Sequence, residues 1–270
     1  MRQSIYGGAA ALIIIATATQ CDSQARNTAT ADGGSASVAT AAAGETSTDP
    51  IATLNRMAAF LHSLKAFQVH AVTTRDDVLE DGQLVQNNGT VDELVRPPDR
   101  LRVEINTNKQ QRTFLYDGKN FTMYAERMGY YATVPAPPTI AQLAEQLQDN
   151  YDIEMPLRDL FSWGTPKSKV HDISSATDLG PAPIEGVTCE HYALRQPGLD
   201  WQVWIQLGEY PLPRKIVITT TSDDARPQYS EVLTWNLAPS FNEAAFQFVP
   251  PPGASKIVLA RADSSHGAKE

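Results

Sequence analysis

The spacing of apolar and polar positions changes several times along the chain, and each change marks an element. Between Pro50 and Lys65 the apolar residues Leu54, Met57, Ala58, Leu61 and Leu64 recur every three or four positions. Asn55, Arg56, His62 and Lys65 fall mostly on the other side, so the segment reads as an amphipathic helix. Asp49 suits the N-cap, and Pro50 suits the first helical position.

After Phe67 the period drops to two. Val69, Ala71 and Thr73 alternate, and Asp81-Gly82 and Asn88-Gly89 are hairpin-turn signals, with Thr90 to Val95 as the strand that follows. Arg96-Pro97-Pro98-Asp99 breaks that run. Leu101, Val103 and Ile105 then alternate with Arg102, Glu104 and Asn106. Thr113 to Tyr116 and Phe121 to Ala125 flank Asp117-Gly118 as a hairpin, and Tyr130 to Val134 adds another strand. Pro135 to Pro138 ends this series. Ile140, Leu143, Ala144 and Leu147 then present a second helical face, with Gln142, Glu145, Gln146 and Asp149 opposite. A shorter apolar piece, Leu157, Leu160, Phe161 and Trp163, stops at Gly164.

Strands resume at Val170 to Ile173, Ala176 to Leu179 and Val187 to Leu194. The longest period-two stretch runs from Leu199 to Leu237. Trp201, Val203, Ile205 and Leu207, then Ile216 and Ile218, then Leu233, Trp235 and Leu237, form the apolar face of a three-stranded meander. Phe246, Phe248 and Val249 close the fold before Pro250-Pro251-Pro252-Gly253.

About ten antiparallel strands are more than a flat open sheet usually holds without curling. The predicted fold class is therefore α+β: a curled antiparallel sheet, an incomplete β-barrel, with the helices covering its concave face. A β-sandwich is the competing arrangement, but it leaves two amphipathic helices without a seat.

Composition alters this picture mainly at the ends. Arg2 precedes an apolar run from Ile5 to Ala18, the length of a secretory signal and short of the ~20 residues a membrane span needs. Ala16-Thr17-Ala18 offers a cleavage site. Cys21 stands where a bacterial lipoprotein carries its acylated cysteine, although Gln20 is bulkier than that signal prefers. Cleavage after Ala18, lipidation at Cys21 and an uncleaved anchor all stay open. From Asp22 to Asp49 the chain is almost all Ala, Thr, Ser and Gly, which cannot bury enough apolar surface to fold. The expected divisions are a signal peptide at 1–18, a linker at 19–49, one domain at 50–255 and a flexible tail at 256–270.

With 42% hydrophobic and 20% charged residues, the 270-residue chain can bury a substantial core. The net charge of -9 excludes nucleic acid, which needs a basic face. With 22 basic residues against 31 acidic ones there is no polybasic run for anionic lipid, so membrane contact would come only through an N-terminal anchor.

Catalytic signals are sparse. The chain has no Gly-x-Ser-x-Gly, no phosphate-cradling Gly-x-x-x-x-Gly-Lys and no His-Glu-x-x-His. Cys189 and His191 share a strand face, but zinc needs three or four ligands. Two cysteines allow at most one disulfide, and Cys189 reads as a small buried hydrophobe. Asp76, Asp77, Glu80 and Asp81 cluster at a hairpin without the spacing of a calcium loop. No catalytic residue, metal or cofactor is expected, and the reading is non-enzymatic. What stands out is the aromatic and sulphur-bearing surplus on strands, Phe121, Met123, Tyr131, Trp201, Trp204 and Trp235, which suits an apolar concavity.

The order of elements resembles the LolA/LolB-like lipoprotein-carrier superfamily, and more closely its group of uncharacterised predicted periplasmic proteins. The likeness runs from about Leu54 to Gly253. It is carried by the opening helix Leu54 to Phe67, by Gly89 and Arg96-Pro97-Pro98-Asp99-Arg100-Leu101-Arg102-Val103-Glu104, and by Tyr116-Asp117-Gly118-Lys119-Asn120-Phe121. Leu212-Pro213-Arg214-Lys215-Ile216 and Phe246-Gln247-Phe248-Val249-Pro250 continue it. The resemblance implies an apolar cavity beneath helical lids, holding the acyl chains of a lipid or an acylated lipoprotein in the periplasm. The expected cavity wall is Leu101, Val103, Phe121, Met123, Tyr131, Trp201, Val203, Ile205, Ile216, Ile218, Leu233 and Trp235. The expected lid residues are Met57, Leu61, Leu64, Leu143 and Leu147. The alternative is a tethered envelope sensor or assembly protein that binds a protein partner.

Overall fold

The computed structural model describes residues 49–156 and 169–261. The expected signal peptide, Cys21, the tract to Thr48, the apolar piece from Leu157 to Gly164 and the end of the tail lie outside the described residues.

The opening helix α1 spans Pro50–Ser63, and its N-cap is Asp49, whose carboxylate accepts from the Ile51 amide at 3.0 Å. Six strands follow: β1 (Phe67–Val78), β2 (Leu84–Arg96), β3 (Arg100–Thr107), β4 (Gln111–Tyr116), β5 (Asn120–Ala125) and β6 (Tyr130–Pro135). The second helix, α2, spans Ile140–Tyr151 and is capped by Thr139, whose hydroxyl accepts from the Gln142 amide. Then come β7 (Ser175–Ile184), β8 (Val187–Gln196), β9 (Leu199–Gln206), β10 (Pro213–Thr220), β11 (Gln228–Asn236) and the two-residue β12 (Ser255–Lys256).

All twelve strands join one open sheet in the order β12-β6-β5-β4-β3-β2-β1-β11-β10-β9-β8-β7. Every pairing is antiparallel except β12 with β6. One hydrophobic cluster takes side chains from every strand between β5 and β8 and from both helices. Flat strands ~4.8 Å apart would spread those positions over nearly 40 Å, whereas a helix is only about 10 Å wide. Two helices can meet them all because the sheet curls around the helices without closing.

Two sequence expectations fail locally. Asn88-Gly89 is not a turn but mid-strand in β2, with Gly89 opposite both Thr73 and Thr107. A Cβ there would lie 2.7 Å from the Asn106 carbonyl oxygen, so glycine is required by close backbone approach. Val170 to Ile173, expected as a strand, instead contains a 3-10 turn over Lys169–Asp172. The Asp81-Gly82 and Asp117-Gly118 turns form as expected. Asp117 accepts from the Lys119 and Asn120 amides, and Gly118 takes a φ of +88°.

Beyond β11 the chain straps the outer, convex face. Glu243 is gripped by Arg96 and Arg100, and Arg102 donates to the Ala245 carbonyl. Phe246 is buried, whereas Val249 is largely exposed and closes nothing. The strap reaches past the expected domain end, since Ile257 donates to the Tyr131 carbonyl.

Candidate functional site

Strand register builds the concave wall rung by rung. One rung reads Trp235, Val69, Glu93, Val103, Phe114 and Met123 across β11, β1, β2, β3, β4 and β5. The next toward the strap contains Phe67, Val95, Leu101, Tyr116, Phe121 and Val134. On the other side of β11, Val203 faces Ile216 and Trp201 faces Ile218. Of the expected wall residues, Leu101, Val103, Phe121, Val203, Ile205, Ile216 and Leu233 are buried in the common cluster. Met123, Trp201, Ile218 and Trp235 pack against it while staying half-buried.

Tyr131 does not join them. It pairs with Tyr124, out of phase with Met123 and Ala132, and both tyrosines meet Phe248 of the strap, at 5.0 and 5.6 Å between ring centroids. Trp204 also faces outward, one position out of phase with Val203. Its ring stacks on His191 at 3.9 Å, with the Lys215 ammonium 5.0 Å from its centroid. His191 is thus engaged in stacking, and the Cys189 thiol donates to the Val187 carbonyl. Burial pushes that thiol's pKa up, which opposes reactivity. Among the described residues no group of three or more His, Cys, Asp or Glu side chains is arranged to hold a metal.

The helices supply the other half of the interior. Met57, Leu143 and Leu147 have no exposed surface and Leu61 is almost as deep, whereas Leu64, at the C-cap of α1, is half-buried. Helical spacing puts these residues on one face, and that face lies on the sheet. Polar ties between the helices and the sheet include one that is fully buried and others nearer the rim. Tyr192 of β8 meets Thr53 of α1 at 3.2 Å, Gln146 of α2 donates to the Pro135 carbonyl, and the Ile140 amide donates to that of Pro98.

Three carboxyls are buried in this apolar setting: Glu93, Glu190 and Glu231. Two have a tyrosine two residues along their own strand, which period-two geometry places on the same face. Tyr192 is hydrogen-bonded to Glu190 at 3.1 Å, and Tyr229 donates to Glu231 at 2.8 Å. Burial, with the adjacent acid, pushes the Tyr192 hydroxyl up to about 12 and that of Tyr229 beyond the usual range. Glu93 differs. Its same-face neighbours are Val91 and Val95, and among the described residues neither of its oxygens has a hydrogen-bond partner. Burial first, and then the charge of Glu231, pushes its pKa well above the ordinary carboxyl value.

Sequence reasoning missed these acids and the tyrosines Tyr116, Tyr192 and Tyr229. The signal was present, since Glu93 lies in phase with Val91 and Val95. The acidic hairpin is accounted for structurally: Asp77 pairs with Lys109 and accepts from Asn87, and Asp76 accepts from the Gln228 amide. The outer face also carries a polar cleft of about 490 Å³ lined by Gln68, Asp92, Arg102, Glu104 and Asn242. Among the described residues no helix is long and apolar enough to cross a membrane.

Fold and site together define a class: a curled, unclosed antiparallel sheet whose concave face is sealed by two amphipathic helices. The chain belongs to the family described as predicted periplasmic protein, DUF2092, whose model matches residues 51–260. No curated protein matches it in sequence. Similar solved structures include the lipoprotein LppX of Mycobacterium tuberculosis, at 12% identity and a TM-score of 0.45, covering 71% of this chain and 97% of that one. LprF of Mycobacterium bovis is 17% identical with a TM-score of 0.39, covering 76% and 97%. A LolA-superfamily protein of Nitrosomonas europaea is 11% identical with a TM-score of 0.34, covering 73% and 96%.

Proposed function

We propose that this protein encloses the acyl chain of a lipid or of an acylated lipoprotein between the concave sheet face and helices α1 and α2, in the periplasm and without catalysing a reaction. The observation that carries this reading is the construction of the lid. Met57, Leu61, Leu143 and Leu147 meet the sheet through apolar contact, beside one buried hydrogen bond that ties Thr53 of α1 to Tyr192 of β8. Apolar contact is not directional, so an acyl chain can replace those helix side chains against the wall. Each buried methylene contributes about 0.8 kcal/mol. The half-buried Trp201 and Ile218 offer an apolar rim from which a chain can enter.

Titration with an uncharged, polarity-sensitive fluorescent probe that carries an acyl chain tests the reading. Saturable, blue-shifted emission is expected, and an unchanged spectrum at every protein concentration would remove its support. Mass spectrometry of the N-terminal peptide from membrane-derived protein distinguishes a chain starting at Thr19 from one acylated at Cys21.

A further inference from the structure

Glu93 has no structural use that the fold reveals. It occupies the rung between Val69 and Val103, all three with no exposed surface, and among the described residues both its oxygens are unpartnered. A buried carboxyl without a donor costs stability, and a valine in phase with Val91 and Val95 would avoid that cost. Nearby acidity is concentrated rather than balanced. The charge of Glu231 acts on Glu93, and Tyr229 feels Glu231, Glu93 and Glu154. The interior thus has carboxyl oxygens to spare at one point of an otherwise apolar wall.

We propose that Glu93 is the polar anchor of the interior, selecting an amphiphile that carries an amine next to its apolar chain. This rests on the enclosure reading above and adds the head-group chemistry. An ammonium supplies the donors that Glu93 lacks, and it is the partner that favours an ionised carboxylate at a buried site. A fatty-acid carboxylate brings no donor to Glu93 and adds a charge near Glu231, and is disfavoured.

Isothermal titration at pH 7 with dodecylamine, dodecanol and dodecanoate holds the chain length fixed and varies only the head group. The wild-type protein is expected to bind dodecylamine about tenfold or more tighter than dodecanol, the scale of one charge-assisted hydrogen bond, with dodecanoate weakest. Glu93→Gln should bring dodecylamine down to the level of dodecanol and leave dodecanol binding unchanged. If dodecanol binds while the amine shows no advantage, or keeps it in E93Q, the anchor is overturned and the enclosure reading survives. If none of the three binds, enclosure itself is overturned, and the anchor with it. Should E93Q not fold, the wild-type ranking of the three ligands decides the matter alone.

Discussion

Glu93 makes the interior sensitive to pH in a direction opposite to that of a surface carboxylate. Its ordinary pKa lies near 4.5, and burial in the folded protein moves it well above that. Between the two values the unfolded chain has lost the proton that the folded chain keeps. Folding stability therefore falls as pH rises through that window, by up to about 1.4 kcal/mol per pH unit. Denaturant unfolding followed upward from pH 5 should show this slope in the wild type and a shallower one in E93Q. Equal slopes would mean that Glu93 titrates as an ordinary carboxyl. Gly89 makes a second residue-scale prediction. With 2.7 Å between an added Cβ and the Asn106 carbonyl oxygen, Gly89→Ala should cost about 1–3 kcal/mol in urea unfolding. A change within 0.5 kcal/mol of zero, the scale of a neutral surface site, would show that the neighbouring strand gives way freely.

At the scale of elements, the helices are the parts most clearly written in the sequence. Spacing, the Asp49 cap and Pro50 locate α1, and four apolar positions locate α2, whose Thr139 cap went unnoticed. Strand phase was equally legible where alternation was strict, as in Leu101, Val103 and Ile105. It failed where chemistry was judged by residue type. Tyr131 and Trp204 look like cavity residues, yet each lies one step out of phase with its inward neighbours. Turn chemistry misled at Asn88-Gly89 because a glycine needed for close strand approach has the same letters as a hairpin. Val170 to Ile173 shows that a short apolar run does not distinguish a strand from a 3-10 turn. Because α2 seats Leu147 with no exposed surface, Leu147→Ala should lower stability by about 2–5 kcal/mol, while Asp49→Ala should cost about 1 kcal/mol by uncapping α1. Thermal unfolding of both variants checks this. A Leu147→Ala protein as stable as the wild type would mean that α2 is not seated on the sheet.

At the scale of the whole molecule, the curled sheet was legible because ten strands already exceed what stays flat, and twelve form. The strap was not, because its hold on the sheet is built from distant ion pairs such as Glu243 with Arg96 and Arg100. Spacing along the chain does not reveal such pairs. The strap and the helices take opposite faces of one sheet, so the proposed ligand would lie on the concave side, beneath the helices. Native mass spectrometry of the protein gently extracted from the periplasm tests this most directly. Discrete mass adducts of apolar ligands that disappear on denaturation are expected. A bare polypeptide mass, unchanged after incubation with added lipid, would contradict enclosure of a ligand.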